Sequence, residues 1–192
     1  MSRQWENWDN QIVVDRLRRD WENEIGRGIR EALHATIKEL ADEHCCRTVL
    51  DVGCGLGMNY PACVGVGLAY VGVDVTPVMV AGARDRYPGG RFEVGDAYKL
   101  DFKDGEFDMV LCADVLVHVP DAESIIRELW RVCCRVTLLQ VPYITSGPTT
   151  KRLAPMRAEG APTFEFFQVQ YDPHDICEAM VSAGFSEVEN RE

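Results

Sequence analysis

The sequence predicts an α/β protein built on a doubly wound, mainly parallel sheet. Three observations carry this. From Thr48 onward, short apolar runs ending in Gly or Asp alternate with stretches of helical periodicity. The first of those runs enters a Gly-x-Gly-x-Gly loop that opens onto a helical stretch. With 192 residues, 46% of them hydrophobic and 27% charged, the chain suits one domain with a substantial core.

The elements follow in order. Over residues 11–44, Ile12, Val13, Leu17, Trp21, Ile25, Ile29, Leu33, Ile37 and Leu40 recur at helical steps. Gly26 and Gly28 each weaken that helix by about 1 kcal/mol, so two helices with a bend between them are expected. Strands are predicted at 48–52, 70–74, 91–94, 107–112 and 136–141, with helices at 58–66, 77–86, 121–132 and 173–183. Such alternation implies a parallel sheet covered on both faces, with right-handed crossovers. The stretch 142–163, which holds Pro142, Gly147, Pro148, Pro155, Gly160 and Pro162, reads as a long loop. The aromatic cluster Phe164 to Tyr171 reads as an extended or helical segment. Trp5, Trp8 and Trp21 are expected to pack on the core or to fold over the site as a lid.

Composition excludes several classes of partner. Against 20 Lys and Arg stand 31 Asp and Glu, a formal charge of −11, which disfavours a nucleic-acid groove or an anionic membrane surface. No apolar run of spanning length exists, and the first residues lack the basic head and apolar stretch of a signal peptide, so a cytoplasmic protein is expected. The eight cysteines show no Cys-x-x-Cys and no zinc-type Cys/His spacing. They are expected to be reduced and mostly buried, and no metal site is expected.

Ligands of doubly wound sheets bind at the carboxyl ends of the strands. The first such loop, Asp51-Val52-Gly53-Cys54-Gly55-Leu56-Gly57, has glycines that allow close backbone approach. It lacks the Gly-x-Gly-x-x-Gly of a dinucleotide site, because Met58 and Tyr60 stand where the last glycine would be. Asp51 ahead of the glycines would repel a pyrophosphate and welcome a cation. At the end of the second strand Asp74 is placed to accept the hydroxyls of a ribose; the alternative is a helix N-cap, a role that Thr76 ahead of Pro77 fills better. After the third strand Asp96 can accept from an exocyclic amine such as that of adenine, or be a solvated loop acid.

Taken together, Val49 to Gly57, Gly72-Val73-Asp74, Gly95 to Phe102, Phe107 to Val110 and Val115-Leu116-Val117-His118-Val119-Pro120-Asp121 closely resemble the class I S-adenosylmethionine-dependent methyltransferases of the small bacterial, type 11-like kind. The resemblance spans roughly 45–141. It implies a methyl transfer from S-adenosylmethionine to a small-molecule or biosynthetic-intermediate acceptor, and the acidic charge balance adds that neither nucleic acid nor membrane is expected as a partner. It also implies that Asp51 with Gly53, Cys54, Gly55 and Gly57 holds the amino-acid end of the cofactor, the Asp51 carboxylate answering its ammonium. Asp74 would grip the ribose, Val75 would line the adenine face, Asp96 and Ala97 would meet the adenine edge, and Cys112 to Asp114 would face the methionyl part.

On the acceptor side, His118 is a candidate base, with a packed residue at a helix start as the alternative, and Tyr143 either lines the pocket or packs. His174 opens the last helix and reads as capping or exposed. One departure from the family pattern follows Gly184: a sixth strand has room there and a seventh has none, so the C-terminal strand pair is expected to be incomplete, with an edge that invites a homodimer. The domain is read as 1–192, with 1–44 a helical lid, 45–141 the cofactor-binding core and 142–192 an acceptor-side segment. The competing functions are a cofactor-binding scaffold or regulator without transfer activity and, third, a dinucleotide oxidoreductase.

Overall fold

In the computed structural model, which describes residues 8–22, 24–141, 148–156 and 164–189, five strands form a parallel sheet in the order β3-β2-β1-β4-β5. They are β1 (Thr48–Val52), β2 (Ala69–Asp74), β3 (Arg91–Val94), β4 (Phe107–Ala113) and β5 (Cys133–Gln140). Chain direction away from the middle reverses between β1 and β4, which makes the gap beyond their carboxyl ends the topological switch point.

Side-chain alternation sends each strand's apolar residues to two cores. One face carries Leu50, Val52, Val71, Val73, Val110 and Cys112 and is covered by α5 (Ala122–Val132) and α6 (Pro173–Ala183). Ile125, Ile126 and Leu129 of α5 are wholly buried there, each stabilising the fold by roughly 1.5–3 kcal/mol relative to an exposed position. The other face carries Val49, Tyr70, Met109 and Leu111 under Leu33, Ile37 and Ala41 of α2 (Glu24–Glu43), with α3 (Tyr60–Gly65) and α4 (Pro77–Arg86) beside them. A third, smaller cluster joins Val13 and Val14 of α1 (Gln11–Glu22) to Leu56 of the glycine loop and Met79 of α4.

Several expectations are corrected. α1 ends at Glu22 and α2 starts at Glu24, so the two helices are there but Gly26 and Gly28 both lie within α2; packing of the Leu33, Ile37 and Ala41 stripe outweighs their low propensity. β5 starts at Cys133 rather than Val136, because α5 runs into it with no Gly or Pro between. The predicted long loop contains β6 (Thr150–Met156), which pairs antiparallel with β7 (Phe164–Gln170) in a sheet of its own, from Thr150 opposite Gln170 to Met156 opposite Phe164. Pro155 fits an edge strand, since among the described residues each strand of this ribbon has a partner on one side only. Residues 185–189 form no strand. The cysteines are less buried than expected: Cys54, Cys63 and Cys112 are buried, while Cys45 and Cys134 are exposed and the other three are intermediate. Among the described residues no helix is long and apolar enough to cross a membrane.

The ribbon is tied to the loop after β4. Tyr171, just past β7, donates its phenol O–H to the Leu116 carbonyl at 2.9 Å, and Lys151 donates to the Pro120 carbonyl at 2.8 Å. It thus stands beside the carboxyl end of β4.

Candidate functional site

The loops after β1, β2, β3 and β4 meet at the switch point through named contacts. The Gly53 and Cys54 amides donate to the Val73 carbonyl at 2.7 and 3.0 Å, and the Gly95 amide donates to the Asp74 carbonyl at 3.0 Å. Gly53 is pressed on the β4 loop so closely that a Cβ there would lie 2.1 Å from Val115 Cγ2. Gly55 is the opposite case: with φ +51, a Cβ built on it meets nothing within 4 Å. The glycine loop is therefore packed at its first glycine and open at its second.

Two carboxylates flank that opening. Asp51, 1% exposed, accepts from Tyr70 Oη at 2.8 Å and from Asn59 Nδ2 at 3.3 and 3.5 Å. Burial is the main cause that pushes its pKa up to about 6, against the pull of those two donors. Among the described residues no cation pairs with it. Asp74 accepts the Gly55 amide on Oδ2 at 2.9 Å and the Thr76 amide and hydroxyl on Oδ1 at 2.9 and 2.5 Å. Burial raises its pKa as well, opposed by the Thr76 and Gly55 hydrogen bonds. Thr76 stands at the N-cap of α4 but makes no side-chain cap, since its hydroxyl is spent on Asp74. The first-turn amide of Val78 is instead accepted by Asp9, from the N-terminal segment, at 2.9 Å.

The loop after β4 carries the other conspicuous group. Asp114 has φ +61, a left-handed backbone seldom taken by a residue with a Cβ. Its Oδ1 is buried without a hydrogen-bond partner, and burial lifts its carboxyl to about 6. His118 closes the 3-10 turn Leu116–His118, with the Trp8 ring against its imidazole at a centroid distance of 4.6 Å. Trp8 and Asp9 thus bridge from the loop after β4 to the start of α4.

The structure brings together Asp51, Gly53, Cys54, Gly55 and Asp74, with Asp114 one residue before the Val115 that Gly53 is pressed on and Gly57 packed under Phe92. Val75 and Ala97 are half-buried at the same end of the sheet. Asp96 is exposed and turns back to accept the Tyr98 amide at 2.9 Å. The Cys112 side chain, 1% exposed, belongs to the α5 core. His174 is exposed at the start of α6, where Asp172 accepts its amide at 2.9 Å. Tyr143 and Trp5 lie outside the described residues. Sequence reasoning missed Asn59 and Tyr70, and also His34, whose Nε2 is buried without a hydrogen bond; burial and Arg30 hold that imidazole below its ordinary value. An Asn just past the glycine loop was the one available signal. Among the described residues no group of three or more His, Cys, Asp or Glu is arranged to hold a metal ion.

A parallel sheet with this loop cluster at its switch point is of the doubly wound α/β class, whose ligands bind at the carboxyl ends of the strands. The sequence model of the methyltransferase domain family matches residues 50–136. Demethylmenaquinone methyltransferase of Roseiflexus sp. (strain RS-1) is 33% identical, over 87% of this chain and 79% of that protein. Norajmaline N-methyltransferase of Rauvolfia serpentina is 34% identical over 57% of this chain and 41% of that protein. Among solved structures, magnesium protoporphyrin IX methyltransferase from Synechocystis PCC 6803 with bound S-adenosylmethionine has 25% identity and a TM-score of 0.66, covering 91% of this chain and 81% of that one. The chain belongs to the class I S-adenosylmethionine-dependent methyltransferases.

Proposed function

We propose that the chain transfers the methyl group of S-adenosylmethionine to a small-molecule acceptor bound between the His118 turn, the β6–β7 ribbon and the N-terminal strap. The observation that carries this reading is the opening at Gly55, beside the buried Asp51 and the half-buried Asp74, neither of which has a cation partner among the described residues. Such a place suits a ligand with a cationic amino-acid end and a ribose. Asp51 answers the ammonium, and Gly53, Cys54, Gly55 and Gly57 give the ligand backbone to lie on. Asp74 has one of roughly four carboxylate acceptor positions left after Gly55 and Thr76, so it takes one ribose hydroxyl and a second only if the Thr76 hydroxyl turns away. Val75, Asp96 and Ala97 serve the adenine, and Ala113 and Asp114 the methionyl part, the role expected of Cys112 falling away because its side chain lies in the α5 core.

The bound cofactor supplies an activated methyl on a sulfonium. The residues of this chain hold it, exclude water beneath Trp8 and Asp9, and aim the acceptor. Where the acceptor must lose a proton, His118 is the candidate base, with Tyr143 as the further candidate. In this reading the lid expected of 1–44 narrows to the Trp8–Asp9 segment, since α2 covers a sheet face; 45–141 is the cofactor core, and the acceptor wall expected of 142–192 narrows to the β6–β7 ribbon, since α6 covers the other face. β5 has no strand on its outer side among the described residues, and a second copy pairing there is the expected assembly, checked by sedimentation. A small acceptor agrees with the name of the Roseiflexus relative.

Calorimetry with S-adenosylhomocysteine tests the site, followed by a turnover screen over quinol, phenol, amine and sugar acceptors. Absent binding, unchanged by Asp74→Ala, defeats the assignment of the site; binding without turnover of any acceptor in the screen defeats the small-molecule reading.

A further inference from the structure

We propose that Asn59 and Tyr70 position the Asp51 carboxylate and thereby set this protein's preference for ligands that carry the cofactor's amino-acid end. The inference rests on the proposed reading of Asp51 as the ammonium's partner and adds two residues to it.

The polar balance around Asp51 is uneven. Tyr70 Oη and Asn59 Nδ2 both donate to Oδ2, at 2.8 and 3.3 Å, whereas Oδ1 receives only the 3.5 Å contact from Asn59. Asn59, 6% exposed, also keeps its Oδ1 buried with no donor. Asp51 Oδ1 therefore keeps most of its acceptor capacity, which suits an ammonium with three N–H bonds and no lone pair. Each donor is held in place at some local expense. Asn59 occupies the N-cap of α3, where Asn is a favoured cap, yet makes no side-chain cap hydrogen bond; its amide is turned to Asp51 instead. Tyr70 reaches Asp51 past Gly72, where a Cβ would lie 2.8 Å from the phenol oxygen and 2.9 Å from Cys54 Sγ. Its ring is fixed edge-on between Tyr60 and Phe92, at 5.2 and 5.6 Å between centroids. Burial pushes its phenol well above its ordinary pKa, so it stays a donor.

The test compares two probes on the full chain by calorimetry: S-adenosylhomocysteine, and 5′-methylthioadenosine, which lacks the amino-acid end. Tyr70→Phe and Asn59→Leu are each expected to weaken S-adenosylhomocysteine by about tenfold while 5′-methylthioadenosine changes by less than about twofold. Equal weakening of both probes means a merely structural role and overturns the proposal, as does an unchanged affinity for S-adenosylhomocysteine. Asp51→Asn separates the two levels: if it leaves the ratio of affinities unmoved, the reading of Asp51 is wrong, and if it alone moves the ratio, that reading stands and the positioning role falls. Should Asn59→Leu fail to fold in a thermal melt, Tyr70→Phe, which removes a single oxygen, decides.

Discussion

Asp74 accepts the backbone N–H of Gly55 at 2.9 Å, so the carboxylate assigned to the ribose also holds the glycine loop in shape. One substitution should therefore register twice. Asp74→Ala strands the Gly55 and Thr76 amides and is expected to destabilise the fold by about 1–3 kcal/mol. It should also lower affinity for S-adenosylhomocysteine more than tenfold, roughly the worth of a lost charged hydrogen bond. Thermal melts and calorimetry check the two effects. Loss of stability with full affinity would move the ribose away from Asp74.

Asp51 makes a prediction about pH. Burial lifts its carboxyl from 3.8 to about 6, so between those values the folded protein binds more protons than the unfolded chain. Stability from this group is therefore highest at low pH, falls as pH rises through about 6, and stays lower above it. Asp51→Asn has no such dependence. Its ligand-free melting temperature should exceed that of the parent by a few degrees at about pH 7.5, and the gap should close towards about pH 4.5. Binding runs the other way: the parent's affinity for S-adenosylhomocysteine should fall on acidification through about pH 6, because Asp51 must shed its proton to face an ammonium. Asp114, also lifted to about 6, acts in the same direction, and His34, held low, opposes both in stability. Both groups are present in parent and variant alike, so the comparison removes them.

What could be read in the sequence was what local rules govern. β1 and β3 were placed to the residue because apolar runs there end in Gly or Asp and the chain must turn. The acids ahead of and after the glycines stood out because a carboxylate beside a glycine loop is chemically pointed. β6 was hidden, since Pro155 and the surrounding Pro and Gly residues signal loop, and only its pairing with β7 makes it a strand. Asn59 and Tyr70 were hidden for another reason. Nothing at their own positions announces Asp51 as a partner; that follows from the register that sets β2 beside β1 and from the room left by Gly72. The strained backbone of Asp114 and the reach of Asp9 to Val78 are tertiary facts of the same kind.

The N-terminal strap should govern cofactor exchange. Asp9 satisfies the Val78 amide in the first turn of α4, and Trp8 leans on His118, so a ligand beneath them leaves only when both contacts part. Asp9→Ala removes an interaction of the kind that caps helices, worth about 1 kcal/mol, and should speed dissociation of S-adenosylhomocysteine by about fivefold in stopped-flow displacement. Trp8→Ala should act in the same sense. Unchanged dissociation rates in both variants would leave the segment a structural appendage.

The glycine loop offers the sharpest separation of fold from ligand, because its first two glycines are alike in backbone and opposite in surroundings. Both have positive φ, +75 at Gly53 and +51 at Gly55, so alanine at either carries strain of about 1–2 kcal/mol. At Gly53 the new methyl would also sit 2.1 Å from Val115 Cγ2, adding roughly 1–3 kcal/mol of overpacking. Gly53→Ala should accordingly lower the melting temperature the more, and Val115→Ala in the same chain should recover part of the loss. At Gly55 the methyl meets no protein atom within 4 Å, so Gly55→Ala should melt only a few degrees below the parent. It fills the space assigned to the cofactor, however, and affinity for S-adenosylhomocysteine should drop more than tenfold, since a rigid loop pressed against a ligand cannot yield a methyl's width. If Gly55→Ala bound as tightly as the parent while Gly53→Ala did not, the cofactor would have to lie on the β4 side of the loop, over Val115, and the roles given to Asp51 and Asp74 would have to be redrawn from there.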